Sequence, residues 1–300
     1  MKSTEVSVRV SVIVPTYNRT QDLLRCLASL ERQSFRSFEV IVCDDGSTED
    51  IQETVRGFDA SFRLSYLRCE NFGGPARARN MGIRASRGEF IAFLDSDDYW
   101  KEEKLQRSVE KLDEGYDLVY HSLSIKGAIL RVINKKTPVR QVSSPVYEDL
   151  LANGNTIPNS SVVMRREIFD ILGGITEDKS LIAAEDFDTW LQTAMVTDRF
   201  YLIQEPLGFY SLSKDSLTSS SRTLVYLERI YSKYLMSNDV ISEATPKWML
   251  YAKAVSNFKL GRIVESKEVF EELKMRRELS RRERIKILLW LIRIKWLSMQ

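Results

Sequence analysis

Apolar positions in the first hundred residues switch repeatedly between two periods. Residues 8–15 (VRVSVIVP) form a β-branched run fit for a buried strand. Residues 20–31 then place Leu23, Leu24, Leu27 and Leu30 at helical spacing. The unit recurs: 38–43 reads as strand, the stretch after Ser47 as helix, 63–67 as strand, 75–85 as helix and 90–94 as strand. Such alternation with short loops predicts a doubly wound, mainly parallel α/β sheet, whose ligands sit beyond the carboxyl ends of the strands. From about Tyr99 to Ser221 the pattern is mixed. Residues 116–120 and 156–164 read as strands, 166–171 and 184–195 as helices, with Gly173-Gly174 marking a turn. Beyond Arg222 almost only helical periodicity remains. Trp248, Tyr251, Ala252, Val255 and Phe258 line one face, Gly261 interrupts, and Val264, Val269, Phe270 and Leu273 follow. This pair is similar to one tetratricopeptide hairpin, but a single copy is no array, and a helical appendage is the simpler expectation.

Composition narrows the chemistry by exclusion. The 44 basic and 42 acidic residues nearly cancel, so the whole chain is no electrostatic nucleic-acid binder. One histidine, His121, supports neither a histidine metal cage nor a Ser-His-Asp triad. Cys26, Cys43 and Cys69 lack zinc-type spacing and read as reduced and buried, as in a cytosolic chain. The first residues are polar up to Val8, without the look of a signal peptide, and no window reaches the roughly 18 apolar residues of a membrane span.

Carboxylates fall where the strands end. Asp44-Asp45 follows the second strand and Asp95-Ser96-Asp97-Asp98 the fourth, which puts both groups on one rim of the sheet. Like charges brought together call for a cation, and oxygen ligands favour Mg2+ or Mn2+. The Asp-x-Asp pattern alone is weak, since a second copy, Asp186-Phe187-Asp188, stands in a helical stretch. Its position at a strand end gives the first copy weight. The loop NFGGPARARN (71–80) adds glycines for close backbone approach and sets Arg77 and Arg79 beside a helix start, where guanidinium groups suit phosphate oxygens. An ordinary solvated helix start would look similar. The dinucleotide fingerprint GxGxxG and the phosphate loop GxxxxGK[ST] are both absent.

Together VSVIVPTYNR (10–19), DDGST (44–48), ARNMG (78–82) and GEFIAFLDSDD (88–98) resemble glycosyltransferase family 2 in letters, order and spacing. The likeness continues more loosely through residues 165–191, where Gly173-Gly174 and Glu185-Asp186 echo the acceptor-side motif. The resemblance implies a GT-A fold, an inverting reaction and a nucleotide-sugar donor, usually a UDP-sugar. It further implies that Pro15 and Tyr17, with Arg19 in the same loop, frame the nucleotide, and that Asp45 bonds base or ribose. Arg79 would lie near the diphosphate. Asp97 would ligate Mn2+ or Mg2+, with Asp95 at the ribose or beside the metal. Asp186 becomes the catalytic base, positioned by Glu185, although two acids in a helix's first turn also suit the helix dipole.

One departure concerns the Tyr-Arg-x-His loop of many family members. Here Tyr210 is followed by Ser211, Leu212 and Ser213, leaving Lys214 to supply the positive charge. The processive signature QxxRW is missing, which favours transfer of single sugars. Residues 1–98 are thus expected to form the nucleotide-sugar half, 99–221 the acceptor half and 222–300 a helical extension. The alternatives are a sugar-phosphate nucleotidyltransferase and a catalytically silent nucleotide-binding scaffold.

The extension ends in a basic, apolar segment, 281–298. On a helix Ile285, Leu288, Leu289, Ile292 and Trp296 share a face, with Lys286 and Arg293 to one side and Lys295 to the other. That pattern suits either attachment to an anionic inner leaflet or docking on the protein or a second subunit. Expected partners are therefore a nucleotide-sugar donor, a glycan or lipid-linked acceptor and an anionic membrane surface, with no nucleic acid. Self-association is left open, and the expected location is cytoplasmic, peripheral on the membrane's inner face.

Overall fold

In a computed structural model, which describes residues 7–126, 135–212, 219–236 and 245–297, the chain packs as two units. The first takes 1–148, 155–177 and 185–216; the second takes 149–154, 178–184 and 217–300.

The first unit is built on an eight-stranded sheet. Its strands are β1 (Val10–Thr16), β2 (Phe38–Asp44), β3 (Arg63–Arg68), β4 (Phe90–Phe93), β5 (Tyr99–Trp100), β6 (Leu118–Lys126), β7 (Val163–Arg165) and β8 (Phe200–Ser211), in the order β3-β2-β1-β4-β7-β6-β8-β5. The first four run parallel, while β7 is antiparallel to β4 and β6. The chain lays strands outward from β1 and then returns to its other side as β4. That reversal opens a crevice at the carboxyl ends of β1 and β4, where α/β sheets bind ligands.

Helices α1 (Thr20–Glu31), α2 (Ile51–Arg56) and α3 (Ala76–Ala85) cross between these strands. Every residue of β1 and β2 is buried, as helices on both faces require. Helix α1 seals its side with Leu23, Cys26, Leu27 and Leu30, so the cysteine joins the predicted leucines. Helix α3 approaches the sheet closely through Gly82, where a Cβ would lie 2.7 Å from both Cys43 Sγ and Ile13 Cγ2.

The mixed half departs further from expectation. Residues 156–164 are mostly not strand: a 3₁₀ turn, Asn159–Ser161, precedes the short β7. Pro158 and the polar Asn-Ser-Ser that follows turn the chain, which brings Asn159 and Ser160 to the rim. The longest strand, β8, went unread because Gln204-Glu205-Pro206 interrupts its alternation, and its register slips opposite His121/Leu123. Cys26 and Cys43 are free and buried. Cys69, expected buried, lies half-buried just past β3.

Helix α4 (Lys104–Asp113) hides an amine. Lys104 is fully buried, its Nζ lies 3.6 Å from the Trp100 ring centroid, and no hydrogen-bond partner reaches it among the described residues. Burial holds its pKa well below the ordinary lysine value. A lowered folded pKa confers stability that is complete above the unfolded value and is lost as pH falls through the folded one. Near neutrality the unfolded chain therefore gains a proton that the folded amine resists. Lys104→Met is expected to stabilise the protein by ~1–3 kcal/mol at pH 7, with a smaller gain at pH 10, as thermal denaturation at the two pH values will test.

The second unit is helical: α8 (Ser220–Tyr234), α9 (Lys247–Lys259), α10 (Ile263–Lys274) and α11 (Arg281–Leu297). Its core gathers Leu250, Ala254, Phe270, Leu273, Ile287 and Ile294. The α9 face expected from sequence is only half-buried; Met249, Leu250 and Ala254 are sealed instead, because α9 packs against both α8 and α10. Val264, expected on the inner face, is 67% exposed. No described helix is long and apolar enough to cross a membrane. The first unit also holds α6 (Arg166–Leu172) and α7 (Glu185–Ala194), while α5 (Val146–Asn153) runs across the boundary.

Candidate active site

Three loops meet at the carboxyl ends of the parallel strands, and the sequence motifs are what join them. After β1, Asn18 adopts a left-handed backbone (φ 51°), and its Oδ1 accepts the Thr48 amide at 2.7 Å. Its own amide donates to Ser47 Oγ at 2.8 Å, so the loop after β1 is pinned to the loop after β2. Asp45 in turn holds the third loop: its Oδ1 accepts the Phe72 amide at 2.9 Å, and its carbonyl accepts Asn71 Nδ2 at 2.9 Å. Gly46 sits here at φ 77°, where a Cβ would come within 2.7 Å of the Asn71 amide.

Asp45 is buried, and burial raises its carboxyl pKa. Asp44 turns away from the rim: it is fully buried, accepting the Ser47 amide and the Tyr66 hydroxyl. Pro15 is buried at the end of β1, and Tyr17, next in the loop, is 47% exposed. An exposed aromatic ring over a crevice offers a flat face to a nucleobase.

Acids crowd the end of β4. Leu94 still bonds β1, and the chain then turns so that the Asp98 amide meets the Asp95 carbonyl at 2.9 Å. Asp95 and Asp97 keep side-chain exposures of 33% and 17%, whereas Asp98 is buried. Burial first, then the charge of Asp95, raises the Asp97 pKa; burial with Asp95 and Asp97 raises that of Asp98 further. Arginines gather around this group. Arg19 pairs with Asp97, and Arg25 donates to the Asp97 carbonyl at 2.8 Å. Arg25 went unnoticed in the sequence because helical position alone does not aim a side chain at a rim.

Arg79 connects this cluster to α7. Its side chain is 4% exposed; Nη2 donates to Asp95 Oδ1 at 2.7 Å and Nη1 to Glu185 Oε1 at 2.8 Å. Both forks are thus engaged by carboxylates. Arg77 instead pairs with Glu177 and lies over the Phe72 ring. Asn159, unread in the sequence, donates to the same Asp95 oxygen at 3.1 Å. Asn80 clasps Ile175 through both backbone groups, which accounts for the Gly173-Gly174 turn: a Cβ on Gly174 would meet Asn80 Oδ1 at 2.8 Å.

Beside Glu185, Asp186 is half-buried in the first turn of α7. It accepts the Phe187 amide at 2.6 Å and Asn155 Nδ2 at 3.4 Å. A helix start lowers a carboxyl pKa. Here burial and the charge of Glu185 prevail over Arg79 and the Phe187 bond, raising it to about 7. Tyr210 closes the rim from β8, its phenol pKa raised by burial and by Asp98, Asp97 and Asp95. Lys214 lies outside the described residues.

The rim suits a hard divalent cation in part. Asp95 and Asp97 offer solvent-accessible oxygens within a repelling acidic group, yet no three His, Cys, Asp or Glu side chains gather at one point among the described residues. An ion held there would need oxygens from a bound ligand to complete its shell.

Known proteins resemble the chain as follows. Residues 11–170 match the family model for glycosyl transferase family 2. The amylovoran biosynthesis glycosyltransferase AmsB of Erwinia amylovora is 30% identical over 216 residues, 68% of this chain and 70% of that protein. Several longer relatives are covered over only 19–21% of their length. Among solved structures, residues 1–349 of Staphylococcus aureus TarS with UDP-GlcNAc superpose with a TM-score of 0.64 at 21% identity, over 89% of this chain and 80% of that one. The mannosyltransferase PcManGT of Pyrobaculum calidifontis, with GDP-Man and Mn2+, gives 0.60 at 18%, over 98% and 87%. At these identities the structural likeness speaks for the fold, which is that of GT-A enzymes.

Proposed function

The chain belongs to glycosyl transferase family 2, and from that premise we propose that it is an inverting transferase carrying a sugar from a nucleoside diphosphate, UDP in our reading, to an acceptor hydroxyl. The observation that carries the proposal is one continuous network. Asp97 and Asp95 stand at the crevice between β1 and β4, and Arg79 ties Asp95 to Glu185, next to Asp186.

In this reading Tyr17 and Asp45 receive the nucleotide at the ends of β1 and β2. Asp97, with Asp95, would hold Mn2+ or Mg2+, which neutralises charge gathering on the departing diphosphate. The acceptor oxygen attacks the anomeric carbon from the face opposite the diphosphate. As that bond forms, the bond to the diphosphate breaks, and the acceptor proton passes to the Asp186 carboxylate. Glu185, held by Arg79, fixes where α7 begins and so where that base stands. Lys214 is our candidate for the charge otherwise supplied by the Tyr-Arg-x-His loop.

UDP is favoured by the TarS complex and a role in polysaccharide biosynthesis by the AmsB relation; a cell-surface polysaccharide or lipid-linked glycan is our reading of the acceptor. We place that work in the cytoplasm, at the inner face of the membrane. Family membership sets aside the nucleotidyltransferase alternative, and slow hydrolysis of a nucleotide sugar without acceptor would dispose of the silent scaffold.

Thermal denaturation with UDP or GDP, each with and without Mn2+, tests the donor site. A ligand that binds only the folded state stabilises it. UDP is expected to raise the melting temperature, and Mn2+ to enlarge that rise. Asp97→Asn should keep the nucleotide effect and lose the Mn2+ increment; a variant retaining both the increment and full transfer would overturn the assignment.

A further inference from the structure

Helix α11 is apolar on two opposite sides, and among the described residues only one of them is packed. Ile287 and Ile294 are 1% exposed, and Trp290 stacks on Phe270 with ring centroids 5.7 Å apart while its Nε1 donates to Tyr251 Oη at 3.1 Å. The helix is therefore a docked part of the second unit's core. About half a turn around the axis, Ile285, Leu288, Leu289, Ile292 and Trp296 face outward, each 52–60% exposed. At 100° per residue these five fall within one stripe. Arg282 and Lys286 border it on one side, with Arg293 reaching back over the Phe258 and Trp290 rings, and Lys295 borders it on the other, beside Arg284, whose guanidinium donates to the carbonyls of Arg276, Arg277 and Leu279. The single acid of the helix, Glu283, lies toward the docked side. It accepts the Ser280 amide in a capping box and pairs with Lys247 at 2.9 Å, and those bonds hold its pKa at about 2.

We infer that this outer stripe seats the protein on an anionic phospholipid bilayer, with the helix lying in the plane of the surface. The charge pattern selects that occupant. A second copy meeting the stripe about a twofold axis would bring cation rows against identical cation rows. An anionic headgroup layer satisfies both rows while the leucines and isoleucines enter the acyl boundary. Trp296, at the carboxyl-terminal end of the stripe, is the amphipathic ring found at such boundaries. The docked face explains why the segment holds its helix without lipid: the stripe is presented ready-made, so no folding cost falls on binding. The inference is independent of the donor-site assignment.

The test is flotation of the full-length chain with vesicles of mixed phosphatidylglycerol and phosphatidylcholine, and with phosphatidylcholine alone. Deleting α11 would open the Phe270–Trp290 core, so outward substitutions are used. One variant carries Leu288→Gln, Leu289→Gln and Ile292→Gln, and a second carries Arg282→Glu and Lys286→Glu. Wild type is expected to float with the anionic vesicles and not with the neutral ones, with binding that falls as salt rises. Each variant should partition at least about tenfold less while keeping the wild-type melting temperature and UDP-induced thermal shift. Equal flotation of wild type and the glutamine variant would overturn the inference. So would equal binding to both vesicle types, or lipid-free self-association abolished by the glutamine variant, which would show that a second copy covers the stripe.

Discussion

Replacing Asp186 by Asn is expected to lower transfer by about 10²–10⁴-fold while leaving nucleotide affinity within a small factor of wild type, because general-base catalysis supplies a rate factor of that order. The side chain is suited to the task by its surroundings. Burial and the neighbouring Glu185 charge raise its pKa to about 7, against the lowering effects of Arg79 and the Phe187 amide. A base must be unprotonated to act, so transfer should climb as pH rises through about 7 and level off above. Stability runs the other way. A folded pKa above the unfolded one contributes stability that is complete below the unfolded value and is lost as pH rises through the folded value. At pH 8 the wild type therefore carries an unfavourable, half-buried charge that Asn lacks, and the variant should melt at a slightly higher temperature. Transfer, UDP binding and melting measured on the same preparation decide the matter. If donor affinity fell in parallel with transfer, Asp186 would be a structural residue of α7.

The parallel half of the sheet was legible because β1, β2 and β4 are buried along their whole length, and a mostly apolar run such as residues 38–43 can hardly sit elsewhere. The rim was legible for the same reason: a rigid strand end fixes where Asp95 and Asp97 emerge. What sequence could not supply was the direction of long side chains. The resemblance implies a place for Arg79 near the diphosphate, and that role stands as a proposal. The fold turns Arg79 inward, where both forks meet carboxylates. Arg25, Asn159 and Tyr210 reach the rim from elements with no local signature of the site, and β8 was hidden by Pro206 within it. Asn80 and Gly174 bear on each other across 94 positions of sequence, a pairing that only the folded chain displays. The tail shows a different limit: periodicity found the outer stripe of α11 but not the opposite face that docks it.

That network makes Arg79 the more revealing site to change. Arg79→Met would leave the buried Glu185 carboxylate without its cation, and removing one partner of a buried ion pair costs about 3–5 kcal/mol. The loss should appear in denaturant unfolding of the first unit. Transfer should fall as well, by about 10²-fold or more, since small misplacements of catalytic groups have effects of that size. A purely structural role would stop there, but the charge makes a further demand. Arg79 lowers the Asp186 pKa, so removing it raises that pKa further and moves the ascending limb of the pH–rate profile to higher pH. Arg79→Lys keeps the charge but has a single ammonium to meet Asp95 and Glu185, so it should return the limb toward its original position with only partial recovery of rate. Combined with Asp186→Asn, the methionine substitution should cost little additional rate, because the two residues act through one proton transfer. A pH profile that does not move in Arg79→Met, or fully additive losses in the double variant, would mean that Arg79 holds the fold without setting the base.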